Sequence, residues 1–586
     1  MPTPRWLPLG ALPLEPLCRT GKSATVVAGV STMLNGGVRF LAADDPTSRD
    51  RSRSGSASAS VLAELFDPLD RLLSRGGDPR LRIDPASRVN EYGCRPFPCP
   101  NTLSFASSTA TSISQRAYDR AELAREALMR SAIAIGIDAA FDARIETMRG
   151  ELKACLSLAE NKVDVVFSPS GTDAQLQALF LVRALLGSAI TTVIVAADQT
   201  GSGTAYTARG HHFSAATANG SQVRKGEPIV GLAHSIESVA LELFDETGDA
   251  RSQAEMDSEI LGSVERSIAN GTKVLLQIMD SSKLGWRSPS DRCLDEISAR
   301  WPDQVQIVVD ACQMRLGRSR LKEYLDRGYM VLVTGSKFFT GPPFSGALLV
   351  PGGLSKTFDA VTDIASGLLE YTSRSDWPMN WPALRSRFPV RANFGQWLRW
   401  EAALEEIKAY HNVPDEFRLS ALATFGKEVE QIIASSPSLR LLPPQRWPDA
   451  CGINDQELAQ RTIFPFVIAR DDRALSLEGC RKIYRALARD AEDCVSTNAG
   501  ACDEEIAAKI CLVGQPVALG RREHPIAALR ICAGARLVTE TWSLDENTAR
   551  DNLQRELGHV GTIVAKIEWL LAHMDGLNFM EVTCEH

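Results

Sequence analysis

A chain of 586 residues with 44% hydrophobic and 23% charged residues has the make-up of a globular protein and length for more than one domain. Its net charge of −8 leaves no basic footprint for nucleic acid, and without an apolar run of about 18 residues no membrane span is expected. Thirteen scattered Cys, with Cys94 and Cys99 wrongly spaced for a zinc knuckle, predict no metal and read as reduced thiols of a cytoplasmic protein.

Residues 1–60 start Pro-rich, lack the pattern of a secretory signal and end in DDPTSRDRSRSGSASAS. They read as a disordered or poorly ordered leader. Leu62, Leu65, Leu69, Leu72 and Leu73 then have helical spacing, with Pro68 placed to kink or restart the helix. Residues 80–114 read as irregular chain and 115–160 as strongly helical, so 61–160 form an N-terminal helical segment.

From 163 onward, short apolar runs alternate with helical stretches. Strands are predicted over 163–167, 192–197, 274–279, 305–309, 329–333 and 346–350. This alternation predicts an α/β domain over 161–385, a mostly parallel sheet with helices on both faces. Such sheets place ligands at the carboxyl ends of their strands, and three of those ends carry chemistry here. Strand 163–167 runs into Ser170-Gly171-Thr172-Asp173-Ala174 and a helix. Backbone N–H groups and a hydroxyl at that turn suit a phosphate, although the same residue types cap ordinary helices. Strand 305–309 ends on Asp310, and strand 329–333 ends in Thr334-Gly335-Ser336-Lys337. Pyridoxal 5'-phosphate (PLP) needs this pair: a Lys amine for its Schiff base and an acid beside its pyridine nitrogen.

The ordered set SGTDA (170–174), DACQ (310–313) and TGSKFFTGPPFSGALLV (334–350) resembles the PLP-dependent fold-type I enzymes, within them the class V aminotransferase and cysteine desulfurase-like family. The resemblance covers residues 160–400 and a C-terminal patch. It implies PLP as cofactor, Lys337 as Schiff-base residue and proton carrier, Asp310 at the ring nitrogen, and Gln313 on the phenolic oxygen. Ser170, Gly171, Thr172, Thr334 and Ser336 would form the phosphate cup, with Ser336 in place of a His common in the desulfurases. Gln199, after Asp198, stands where relatives often carry a ring-stacking His; it would cover the ring but shuttle protons poorly. His211 and His212 beyond it read as surface residues or as support for the site. The loop DSSKLGWRSP (280–289) resembles the family's Ser-Asn-x-x-Gly-x-x-x-Pro loop. Ser282 takes the Asn position, and Lys283 reads as solvated. The run 107–111 either lines the substrate pocket, as N-terminal segments of similar enzymes do, or is a polar loop capping the next helix. Arg391 and Asn393 resemble a loop that reaches the neighbouring subunit's phosphate; Arg391 as an ordinary surface residue is equally open. Arg530 matches the family Arg that grips a substrate carboxylate bidentately, with Arg536 as the weaker candidate. An amino acid substrate and a homodimer follow from the same resemblance.

Residues 386–586 read as a smaller C-terminal α/β domain with strands over 462–468, 510–513 and 528–532. The last helix is expected to start with a capping box from Ser543 to Glu546. Its face of Leu553, Leu557, Val560, Val564, Ile567 and Leu571 reads as packing. Transamination of a free amino acid leads among the reactions, and a PLP-dependent lyase (elimination, decarboxylation or desulfurase-like C–S cleavage) is the alternative. A desulfurase needs a mobile Cys. The loop expected after strand 510–513 carries Gly514-Gln515-Pro516 instead, Cys511 is expected inside the strand, and Cys494 and Cys502 lie further off. A nicotinamide dehydrogenase is a weak reading of Gly201-Ser202-Gly203, because Tyr206 holds the third glycine position. A non-catalytic scaffold is at odds with keeping both Asp310 and Lys337.

Overall fold

Pro68 cannot continue a helix, and it stands as the N-cap of the short helix Leu69–Leu73. The computed structural model describes residues 61–158, 163–233, 236–444, 460–490, 501–521 and 523–574, without the side chains of 501–504. The expected leader, Cys494 and the Cys502 side chain lie outside the described residues. The stretch expected to be irregular contains a strand, β1 (Leu103–Phe105). The helical run beyond it is two helices, α1 (Gln115–Ile135) and α2 (Ile137–Cys155), divided at Gly136 with φ 82°. Few residues other than glycine adopt that conformation. Ser114 caps α1 by accepting from the Ala117 N–H.

The main sheet has seven strands: β2 (Val163–Ser168), β3 (Ile190–Val195), β4 (Ile236–Leu241), β5 (Lys273–Met279), β6 (Val305–Asp310), β7 (Met330–Thr334) and β8 (Gly346–Pro351). Their order is β2-β8-β7-β6-β5-β3-β4. All neighbours are parallel except β8, which runs against both β2 and β7. Strand β4 escaped prediction because it is an edge strand with most of its residues partly exposed, including Glu237 and Ser238, so no continuous apolar run marks it. Strand β3 ends two residues earlier than expected because Ala196 turns into the left-handed region, φ 56°.

Successive residues of a strand face opposite sides, and here both sides are covered. Val331, Val333, Val165 and Phe167 join one core with α2; Met330, Leu332, Val166 and Val350 join the other with α3 (Gly171–Leu186). The expected fold class therefore holds: α/β, mostly parallel, with helices on both faces. Helix α4 (Phe394–Asn412) packs into the first core, where Trp400 Nε1 donates to the Gly346 carbonyl at 3.0 Å.

A second, six-stranded sheet is built from β1, β9 (Leu439–Leu441), β10 (Ile463–Arg470), β11 (Arg473–Ala474), β12 (Cys511–Leu519) and β13 (Ile526–Cys532). Strand β1 pairs parallel with β12, so the N-terminal segment contributes to the C-terminal sheet. Gly514-Gln515-Pro516, expected as a loop, lies inside β12, whose register shifts between Gly514 and Val517. Pro516 has no N–H to pair, and the strand bulges and resumes. The last helix, α5 (Glu546–Ala572), is capped by Asp545, which accepts from Thr548 N. This corrects the expected box: Ser543 accepts from Asp545 N instead, two residues before the cap. Leu557, Val560, Val564, Ile567 and Leu571 are buried in the first core and Leu553 packs against it. That core also holds Leu529, Ile531 and Phe464 of the second sheet, so one apolar body joins the two sheets. Among the described residues no helix is long and apolar enough to cross a membrane.

A β-carbon at Gly346, the first residue of β8, would lie 2.3 Å from the Ser170 carbonyl carbon. Gly346→Ala is expected to lower the urea unfolding free energy by about 1–3 kcal/mol, whereas Gly353→Ala, which meets nothing within 4 Å, should leave the midpoint unchanged.

Candidate functional site

Six strands of the main sheet, all but β8, end at one edge. Backbone contacts fix the arrangement. The Asp310 carboxylate ends β6 and accepts from Cys312 N at 3.1 Å. Thr334, at the end of β7, donates from Oγ1 to the Cys312 carbonyl at 2.7 Å. Phe338 N donates to the Gln313 carbonyl at 3.4 Å, and Gly335 N to Ser345 O at 3.0 Å. Lys337 is thus held in a turn braced from both sides and is half-buried. The third part arrives through Gly171, the first residue of α3. A β-carbon there would meet Cys312 Sγ at 2.7 Å and Thr334 Cγ2 at 3.5 Å. The Asp310 strand end, the Lys337 turn and the helix N-terminus are therefore in direct contact. Cys312 lies between them, and burial first, then the Asp310 carboxylate, pushes its thiol well above the ordinary range.

The turn before α3 suits an anion, because the first N–H groups of a helix have no acceptor within it. Ser170 is used as the cap, with its Oγ 3.2 Å from Asp173 N and 2.5 Å from Asp173 Oδ2. Gly171 and Thr172 remain for a ligand, and Gly203 allows close approach, since a β-carbon there would stand 2.6 Å from Thr172 Cγ2. Asp173 was read from the sequence only as part of this turn and its cap, with no site role. It is 2% exposed, and its Oδ1 is buried without a partner. Burial, then Asp78, push its carboxyl up to about 7. Asp78 comes from a segment without any motif: it pairs with Arg80 at 2.8 and 2.6 Å, and Arg80 lies over the Phe344 ring at 4.9 Å.

The other expected site residues divide into those at the edge and those beside it. Gln199 is 1% exposed, its Nε2 donates to Asp198 at 3.1 Å, and its buried Oε1 has no partner. Ser336 is buried at the edge. Gln313 Nε2 donates to the Ser108 carbonyl at 3.0 Å, and its Oε1 accepts from Arg315 Nη1 at 3.0 Å. Arg315 was not singled out in the sequence, where nothing in its spacing marks it. Its other contacts are Thr462, Ser107 and the Ala533 carbonyl, and burial lowers its guanidinium to about 10. The Ser282 hydroxyl points into its own loop and accepts from Leu284 N at 3.1 Å and Trp286 N at 3.0 Å. Lys283 is half-buried rather than solvated. Burial, then the Arg530 and Lys337 charges, bring its amine down to about 7.

Arg530 is 1% exposed. Its Nη1 donates to the Lys283 carbonyl at 3.2 Å, its Nη2 to Thr109 Oγ1 at 3.1 Å and to the Gln515 carbonyl at 2.6 Å, and its Nε is unpartnered. The run 107–111 therefore lines this region; the helix cap is Ser114. Arg536 instead donates to the carbonyls of Ser112 and Thr340. Arg391 and Asn393 line a separate cavity of about 230 Å³ with Asp376 and Tyr371. There Arg391 donates to the Leu369 carbonyl at 3.0 Å and Asn393 caps α4. His212 bonds the Tyr371 hydroxyl at 2.6 Å. Among the described residues no group of three or more His, Cys, Asp or Glu is placed to hold a metal. The orphaned Gln199 Oε1, the glycine-lined turn at α3 and the Asp310–Lys337 pair fit the cofactor expected from the sequence.

No protein-family model matches the chain, and no curated protein matches it. Among solved structures it is similar to the cystine C–S lyase C-DES in complex with cysteine persulfide, at 15% identity over 78% of this chain and 98% of that one, TM-score 0.41. It is also similar to the glutamate decarboxylase domain of diaminobutyrate-pyruvate transaminase and L-2,4-diaminobutyrate decarboxylase from Vibrio parahaemolyticus (13% identity, 89% of this chain, 97% of that, TM-score 0.44). A third is Catharanthus roseus tryptophan decarboxylase in complex with L-tryptophan (15% identity, 89% of this chain, 100% of that, TM-score 0.43).

Asp173 gives the fold a pH dependence with a definite sign. Its folded value, about 7, lies above the ordinary carboxylate value of about 4. Stability is thus fullest below about pH 4 and is lost as pH rises to about 7. Asp173→Asn, neutral throughout, should gain about 2–3 kcal/mol on the wild type between pH 5 and pH 8. Urea denaturation at the two pH values checks this, and parallel curves would refute it.

Proposed function

We propose that this protein is a PLP-dependent enzyme acting on a free amino acid, with transamination as its leading reaction. One observation carries the reading: the end of β6 at Asp310, the start of the Thr334–Lys337 turn and the N-terminus of α3 meet at Cys312, where a β-carbon on Gly171 would stand 2.7 Å from Sγ. PLP, when bound, supplies an electron sink for the pair left at the substrate's Cα. The residues divide the remaining work. Gly171 and Thr172 would hold the phosphate at the helix N-terminus, with Ser336 beside them. Thr334 spends its hydroxyl proton on the Cys312 carbonyl and acts by bracing the Lys337 turn. The Asp310 carboxylate would keep the pyridine nitrogen protonated. Lys337 Nζ would anchor the cofactor and then carry the Cα proton, a role worth about 10²–10⁴-fold in rate. Gln199 would cover the ring and, lacking a titratable group, move no proton. A homodimer and a cytoplasmic site belong to the same proposal.

A second reading, a lyase, is favoured by Arg530. Nη2 gives both of its hydrogens to protein acceptors and Nη1 gives one, which leaves the Nε hydrogen and one Nη1 hydrogen. A carboxylate gripped through two parallel N–H bonds uses Nη2 together with Nε or Nη1, so Arg530 as it stands offers a weaker hold than an aminotransferase uses. Cys511 is 1% exposed, and Gln515 occupies the strand where a mobile thiol would be needed, which counts against persulfide transfer.

Purified protein incubated with PLP should show a visible absorbance band that Lys337→Ala removes. Asp310→Asn should keep the band and lose at least about 10²-fold in turnover. The amino acid that shifts the band identifies the substrate, and analysis of products as keto acid or cleavage products separates the two reactions. A chain that stays colourless with added PLP overturns both.

A further inference from the structure

The loop after β5 is built to hold one side chain still. Met279 and Ser288 exchange both backbone hydrogen bonds at 3.0 Å, Ser282 N donates to the Trp286 carbonyl at 2.7 Å, and Gly285 N donates to the Ser282 carbonyl at 2.9 Å. The Ser282 hydroxyl ties down Leu284 N and Trp286 N from inside, and Trp286 packs on Phe244 with ring centroids 5.2 Å apart. Across the gap to the second sheet, Arg530 Nη1 holds the Lys283 carbonyl. Every brace surrounds Lys283, whose side chain stays half-buried while Leu284 beside it is 2% exposed.

The charges that face this amine come from four other elements: Arg530 of β13, Lys337 after β7, Asp198 after β3 and Asp310 at the end of β6. Within its own loop, Arg287 pairs with Asp280 at 3.6 Å. Strands β5 and β7 flank β6, so the loops that carry Lys283 and Lys337 leave the sheet at strand ends about 10 Å apart, and the Lys283 amine faces both Lys337 and Asp310 at the end of the strand between them. Of the other groups at this edge, Gln199 does not titrate, Asp310 would be committed to the ring nitrogen, and Asp173 is turned to its own helix cap, with its Oδ2 on Ser170 Oγ.

We propose that Lys283 is the second proton-transfer group of this site, serving the substrate atom that Lys337 does not. This rests on the reading under Proposed function and adds a role to it. In the step, a Lys283 N–H bond breaks and its electron pair stays on Nζ. The proton bonds to the atom that gains an electron pair when a substituent leaves Cα or Cβ, and solvent returns the proton to Nζ. An amine held near neutrality exchanges protons in both directions at physiological pH, as an efficient acid–base group must. A free Lys, titrating near 10.4, does not.

Two measurements test this. In the full chain, with and without added PLP, acetylation by limiting acetic anhydride is followed by peptide mass spectrometry between pH 5 and 11. Lys283 should reach half-maximal reactivity near pH 7 in the absence of PLP. A midpoint near 10, or no labelling at any pH, overturns the proposal, because a group that a small electrophile cannot reach cannot serve a substrate. Lys283→Ala should take up PLP with an unchanged visible band yet turn over the substrate at least about 10²-fold more slowly, with ethylamine restoring part of the rate. Full turnover, or a loss that no amine restores, overturns the role of Lys283 alone. A wild-type chain without the band overturns the parent reading together with it.

Discussion

Strand β8 runs against its neighbours, and the site depends on that reversal. It enters the sheet between β2 and β7 at the edge where all the parallel strands leave it. Its first residue, Gly346, is pressed against the Ser170 carbonyl, while Trp400 of α4 holds the Gly346 carbonyl from the other side. Gly335 N reaches Ser345 O just before it. One backbone segment thereby helps set the distance between the turn before α3 and the Lys337 turn, and Gly346 brings no side chain of its own that could relax.

Charge is sorted along that edge. Near α3 lie buried acids, Asp173 and Asp78, answered by Arg80. Toward the second sheet the charges are mostly cationic: Lys337, Lys283, Arg530 and Arg315, with Asp310 and Asp198 among them. Burying like charges together lowers the proton affinity of the amines and raises that of the carboxyls. Lys283 and Asp173, on opposite sides, are both drawn toward neutrality from opposite directions.

The second sheet is packed against the first. A single apolar core runs through both, and β1 ties the N-terminal segment to β12. Arg530 therefore meets Lys283 and Thr109 as fixed partners, three residues from three distant parts of the chain. Arg315 closes the same junction by joining Gln313, Ser107 and Thr462.

What the sequence alone determined was local. A parallel strand buried on both faces is a continuous apolar run, so six of the seven strands of the main sheet, and the residues at their ends, were legible; the partly exposed edge strand β4 was not. Asp310, Lys337 and Ser170-Gly171-Thr172 stood out because strand ends and a helix start announce themselves in chain order. Only the tertiary structure decided which side chains turn inward and which are consumed by the protein. Ser282 and Lys283 are adjacent in sequence and equally polar, yet one hydroxyl is spent on its own loop while the amine faces four charges from distant strands. Asp173 reads as a helix cap until Asp78, 95 residues earlier, is folded beside it. Burial and the sum of neighbouring charges are properties of packing, and no spacing along the chain encodes them.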